Sequence, residues 1–263
     1  MKLNAVPAST GLSWVKLGVK TFFSQPLAMS GLFFMFMAVV SVLSVVPLIG
    51  TPVSLALVPA ATVGLMAASR EALAGRFPMP LLLLTAFRSG KDRARAMLIL
   101  GGMYAGALLL VLGMAALLGP ADGTPVPVTD GEVTPEAMRT AFVSQGMWVA
   151  MLAYVPVLMA FWHAPALVLW HGVSPGKSLF FSVMACWRNK GAMLAYTFGW
   201  VGVFILMGLV MSLLGAMLGG ASALSFIMYP MVLFMASMFH TSIYFTFRDS
   251  FVTDEQNTPD TPV

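Results

Sequence analysis

Apolar residues run almost unbroken through six stretches of the chain, 27–47, 51–70, 97–119, 147–171, 193–218 and 223–247, and polar positions gather between them. Each stretch has about 20 residues or more, which at 1.5 Å per residue crosses a hydrocarbon core of roughly 30 Å. The pattern predicts an all-α polytopic membrane protein with six transmembrane helices and both termini on one side. The first stretch follows Lys16 and Lys20 as a secretory signal would, yet it exceeds the usual apolar region of about 7–15 residues, so it reads as a retained helix.

The polar intervals have their own period. Before each outward-going helix lies an amphipathic segment. In 10–24, Leu12, Val15, Val19, Phe22 and Phe23 recur at helical spacing, with Lys16 and Lys20 one turn apart on another face. In 80–95, Leu81–Leu84 and Phe87 run into Arg88, Lys91, Arg93 and Arg95. In 174–190, Ser174-Pro175 reads as an N-cap with Pro at N1, and Leu179, Phe180, Val183, Met184 and Trp187 stand against Lys177, Arg188 and Lys190. All three lead into Ala-Met (28–29, 96–97, 192–193), and the return helices carry Val58-Pro59, Val155-Pro156 and Tyr229-Pro230. This reads as three tandem parallel units of amphipathic helix plus helical hairpin, forming one domain over 1–252. Residues 253–263, with Asp254, Glu255, Asp260 and two prolines, read as a disordered cytoplasmic tail.

Composition fixes the class. Of 263 residues 59% are hydrophobic and only 9% charged, with mean hydropathy +0.89, whereas soluble domains are about a quarter charged. Net charge +4 and a pI near 9.4 do not imply nucleic acid, because the basic residues are spread between apolar runs; anionic lipid is the partner they fit. Thirteen of the fourteen Lys and Arg fall on the side of the termini, and only Arg139 falls on the other, in the acidic 120–146 loop. The positive-inside rule then puts both termini in the cytoplasm and that loop in the periplasm of a bacterial inner membrane. A single cysteine, Cys186, rules out an intrachain disulfide and any CxxC motif.

Few groups remain for chemistry. His163 and His240 lie at matching depths in two return helices, where they could bind haem or a metal, relay protons, or hydrogen-bond a neighbouring carbonyl as structural glue. Twenty-two methionines suggest copper, but most lie inside the apolar runs as packing residues. Ser222 precedes His240 by 18 residues on one helix, about 27 Å, so no serine–histidine nucleophile forms there. No carboxylate lies inside a run, and no P-loop, GxGxxG or HExxH occurs, which points away from an enzyme. Arg70-Glu71 and Arg248-Asp249 close two return helices and read either as crosswise ion pairs on the inner face or as solvated pairs worth under about 1 kcal/mol. Prolines 156 and 165 make the helix leading to His163 the one expected to be irregular.

Several local strings carry a resemblance over nearly the whole chain. They are Gly11-Leu12-Ser13-Trp14, Phe22-Phe23-Ser24-Gln25-Pro26-Leu27, Glu71 through Pro80, Phe161-Trp162-His163-Ala164-Pro165-Ala166-Leu167 and Ala185-Cys186-Trp187-Arg188-Asn189. In their order they resemble a family of uncharacterised proteobacterial six-helix inner-membrane proteins. The closing Tyr244–Phe251 string is similar to the ending of six-helix domains fused to some glycerophosphodiester phosphodiesterases. The resemblance implies membership and fold but no established activity.

The expectation is therefore a non-enzymatic inner-membrane protein without cofactor or metal. Its cytoplasmic basic segments, through Arg88, Lys91, Arg93, Arg95, Lys177, Arg188 and Lys190, engage anionic lipid or a membrane-protein partner, which could be a second copy of the chain. The alternatives are a small-solute or ion transporter with a kinked path near Pro156, Pro165, His163 and His240, and a haem- or metal-binding protein at the two histidines.

Overall fold

The computed structural model of the protein describes residues 2–118, 128–129, 132–133, 145–217 and 221–252. The expected disordered tail 253–263 and most of the acidic 120–146 loop lie outside the described residues. The helices are α1 (Thr10–Ser24), α2 (Pro26–Ser44), α3 (Gly50–Leu73), α4 (Thr85–Arg88, preceded by a 3₁₀ turn at Pro80–Leu84), α5 (Lys91–Leu117), α6 (Gln145–Trp162), α7 (Ala164–His171), α8 (Pro175–Arg188), α9 (Lys190–Met217) and α10 (Ala221–Ser250). Six segments are long and apolar enough to cross a membrane: α2, α3, α5, α6 with α7, α9 and the Pro230–Ser250 part of α10. The expected all-α six-span architecture is therefore present.

Two elements differ from the sequence reading. The 80–95 segment is not one amphipathic helix: it is a 3₁₀ turn and a single helical turn, ended at Gly90 with φ 104°, and Lys91, Arg93 and Arg95 start the membrane helix α5. Five successive residues of Pro80–Leu84 are apolar without helical spacing, so no stripe exists to hold a longer helix on the bundle. The fourth span breaks at His163 into α6 and α7, as its prolines lead one to expect. Pro165 has no N–H to offer the carbonyl of Phe161, and its ring disfavours helix continuing through Ala164. The sequel α7 stops at Gly172, whose φ of 64° is a left-handed cap.

Each amphipathic segment packs on the hairpin of a different unit, and the order is cyclic. The 80–88 segment lies on α3 of the first unit, α8 lies on α6 and α7 of the second, and α1 lies on α9 and α10 of the third. Close backbone approach makes this possible. A Cβ at Gly11 of α1 would sit 2.1 Å from the carbonyl oxygen of Ala192, and one at Gly64 of α3 would sit 2.8 Å from that of Leu82. At the centre, the return helices α3, α7 and α10 meet around Val63, Met66, Leu167, Ile243 and Phe247. Around α1 a second core joins Trp14 and Phe22 to Tyr196, Trp200, Met238 and Phe245. Antiparallel strands β1 (Lys2–Leu3) and β4 (Phe251–Val252) bring the start of the chain beside the end of α10; β2 (Val128–Thr129) pairs with β3 (Glu132–Val133). The face with β1 and β4 is called the terminal face below.

Candidate functional site

Helix α8 shows how the terminal face is built. Its inner side is small and polar: Ser178, Ser182, Ala185 and Cys186 are buried. Ser182 fills a gap that the break at His163 creates. In a regular helix the His163 N–H would bond the Met159 carbonyl. Here the His163 N–H donates to Ser182 Oγ at 2.9 Å, and that hydroxyl donates to Met159 O at 2.7 Å, so one side chain splices the interrupted ladder. The Cys186 thiol also reaches Met159 O, at 3.8 Å, and burial pushes its pKa up to about 12.

The outer side of α8 is the reverse of a soluble helix. Phe180 and Trp187 are 61% and 62% exposed, Phe181 and Met184 are exposed as well, and Lys177, Arg188 and Lys190 stand among them. Lys190 Nζ lies 5.2 Å from the centre of the Trp187 ring. The other two segments have the same character. Leu12 and Phe23 are exposed beside Lys16 and Lys20 on α1, and Phe77, Met79, Leu81 and Leu84 are exposed near Arg76 and Arg88.

Not every expected cation is displayed. Lys91 and Arg95 are exposed, but Arg93 is half-buried and donates through Nη1 to the Leu169 carbonyl near the end of α7. It binds an orphan helix-terminal acceptor, which is a structural role.

Three of the strings that carry the family resemblance, those holding Trp14, Asn189 and Asp249, meet at the terminal face. Trp14 Nε1 donates to Asp249 Oδ2 at 2.8 Å across 235 positions. Asn189, at the end of α8 and buried, accepts from Val6 N at 3.0 Å and donates to Asn4 O at 3.0 Å and Ser250 Oγ at 3.2 Å. Asn4 in turn donates to Asp249 O at 2.9 Å. Sequence reading assigned no role to Asn4, Asn189 or Ser182; for Asn189 its place in the Ala185–Asn189 string was the available signal. Crosswise pairing of the two acid–base doublets does not occur. Glu71 takes two bonds from Arg76, at 2.5 and 3.0 Å, and Asp249 pairs with adjacent Arg248 at 2.7 Å. The Glu71 carboxylate holds the Arg76 guanidinium above its ordinary range. Arg70 instead lies over the Trp170 ring at 5.5 Å.

The two histidines are also separated. His163 is fully buried against Phe247 and Phe251, with ring centroids 6.0 and 5.5 Å away, and neither ring nitrogen has a hydrogen-bond partner among the described residues. His240 stands two turns before Phe247 on α10, donates through Nδ1 to Ala236 O at 2.8 Å, and lines a cavity that His163 does not. They do not share a site. The cavity, of about 220 Å³, also takes Thr62, Tyr104, Tyr154, Trp162 and the rings of Pro59 and Pro165. Among the described residues no cluster of three or more His, Cys, Asp or Glu could hold a metal ion.

Compared with known proteins, the chain is 35% identical over 267 aligned positions to a probable inner membrane protein of Burkholderia thailandensis, covering all of this chain and 98% of the relative. The chain belongs to that inner-membrane protein family. No family model matches it, and no solved structure matches it significantly. Membership agrees with the six spans and gives the membrane; the relative's name carries no substrate, partner or reaction.

Proposed function

We propose that the protein is a non-enzymatic inner-membrane component whose terminal face is cytoplasmic and engages anionic phospholipid. The observation that carries this is the outward face of α8, where Phe180, Phe181, Met184 and Trp187 are exposed together with Lys177, Arg188 and Lys190. Water does not favour four large apolar side chains presented side by side, and a headgroup layer does. Aromatic rings reach the acyl boundary while the cations meet phosphates, each basic residue near the surface contributing about 1 kcal/mol. Lys16 and Lys20 on α1, and Arg88, Lys91 and Arg95 around α4 and the start of α5, are exposed as well and add basic charge. The skew of thirteen basic residues to this face supports the cytoplasmic placement. The likeness of the closing Tyr244–Phe251 string to phosphodiesterase-fused domains adds no reaction to this reading.

The full chain in nanodiscs of mixed phosphatidylglycerol and phosphatidylcholine tests it. Native mass spectra should retain phosphatidylglycerol preferentially, and replacing Lys177, Arg188 and Lys190 with Gln should reduce the retained fraction several-fold. Retention that is equal for the two lipids and indifferent to those substitutions would sink the proposal.

A further inference from the structure

The cavity at His240 has a hydrogen-bonding character that can be worked out group by group. Thr62, Tyr104, Tyr154 and His240 lie well inside four different membrane helices, and no Asp, Glu, Lys or Arg lines the space. Polar groups at that depth are costly unless they meet a partner. The His240 Nδ1 bond ends on a carbonyl oxygen, which only accepts, so Nδ1 carries the proton and Nε2 keeps a lone pair. Nε2 has no hydrogen-bond partner among the described residues and retains contact with open space. Thr62 Oγ1 donates to Val58 O at 2.9 Å and so offers the cavity only an acceptor. Tyr104 and Tyr154 both line the cavity, and each phenol brings an O–H that can donate. Trp162 Nε1 is committed to Thr246 Oγ1 at 2.9 Å and presents only its ring.

The walls therefore provide a fixed acceptor on one side, a phenol donor on another, and flat faces between them. The volume of about 220 Å³ exceeds that of an apolar cavity known to hold a benzene ring, about 150 Å³. Tyr154 and Leu158, which line the cavity from α6, are 38% and 37% exposed, so it is not sealed on that side.

We propose that this cavity binds an uncharged, lipid-soluble molecule with a hydroxylated ring, a hydroquinone, whose O–H donates to His240 Nε2 and whose second oxygen accepts from the Tyr104 or Tyr154 hydroxyl. An oxidised quinone brings only carbonyl acceptors and leaves Nε2 unpaired, so the site discriminates between the two redox forms. No electron transfer is part of this proposal, and it does not depend on the headgroup surface of α8.

The test uses the full chain in phosphatidylcholine nanodiscs, with decylubiquinone added either oxidised or reduced beforehand under anaerobic conditions, and bound compound measured after gel filtration. Saturable binding is expected, with the reduced form about tenfold tighter, since one hydrogen bond to an otherwise unpaired group is at stake. His240→Phe should erase that preference. Should that variant fail to fold, the double variant Tyr104→Phe/Tyr154→Phe supplies the second reading, with binding of the reduced form lowered by a similar factor. Equal affinity for the two redox forms, absence of saturable binding, or occupation of the cavity by an alkyl chain that the hydroquinone does not displace would each overturn the proposal.

Discussion

The Ser182 hydroxyl stands in for the helical hydrogen bond that His163 has lost, accepting from the His163 amide at 2.9 Å and donating to Met159 O at 2.7 Å. One side chain from α8 thus satisfies both ends of a break in the fourth span. Replacing Ser182 with Ala leaves the buried His163 N–H unpaired and Met159 O with only the weak Cys186 thiol, so a loss of about 1–3 kcal/mol is expected. Ser182→Thr keeps the hydroxyl and should retain more stability than Ala. Denaturant unfolding of the two variants in the same detergent checks this, and equal stability of Ala and wild type would contradict the splice.

Arg93 and Arg88 separate structural from surface charge. Arg93→Gln removes a charged donor from the Leu169 carbonyl and should destabilise the fold by about 1.5–3 kcal/mol, whereas Arg88→Gln, on an exposed side chain, should shift stability by under about 0.5 kcal/mol. Thermal melts of both variants decide the matter; matching melting temperatures would return Arg93 to the displayed set.

Gly11 has no room for a methyl group. Its Cβ position falls 2.1 Å from Ala192 O and 2.6 Å from Tyr196 N, both main-chain atoms, so Gly11→Ala must push α1 away from α9 at a cost of about 1–3 kcal/mol or more. Gly31 in α2 meets nothing within 4 Å, and Gly31→Ala should lose no stability. Trypsin sensitivity at Lys16 and Lys20 should rise in the first variant alone, since α1 is held chiefly by α9 and α10.

Cys186 gives a pH dependence of defined sign. Its folded pKa is raised from an ordinary value near 9 to about 12, so above pH 9 the unfolded chain loses the thiol proton and the folded chain keeps it. Folded-state stability from this residue is complete below pH 9 and declines between about 9 and 12. Maleimide labelling at neutral pH should accordingly be slow until the protein is unfolded, and Cys186→Ala should remove the decline. Fast labelling of the folded protein would show that the thiol is open to solvent.

Much of the site's chemistry was legible only as residue types. Proline spacing gave the irregular fourth span, and the alternation of Phe, Trp, Lys and Arg in 174–190 gave an amphipathic α8. What spacing does not reveal is which side of that helix touches protein. An apolar stripe normally faces a core, yet here Ser178, Ser182 and Ala185 face it and the aromatic residues are exposed. Likewise, two histidines at matching positions in two return helices suggested one site, but the break at His163 and its packing on Phe251 set them apart.

The sequence by itself determined the six spans and the amphipathic helices at 10–24 and 174–190, because each is a local transfer of side chains between water, interface and hydrocarbon that needs no knowledge of neighbours. The tertiary structure decided the cyclic order in which each segment packs on another unit's hairpin, the withdrawal of Arg93 and the closing of the terminal face by Trp14, Asn189 and Asp249. Those rest on contacts of a few ångströms between residues up to 245 positions apart, such as Asn4 with Asp249. Such contacts follow from how the helices pack and leave no periodicity in the chain that makes them.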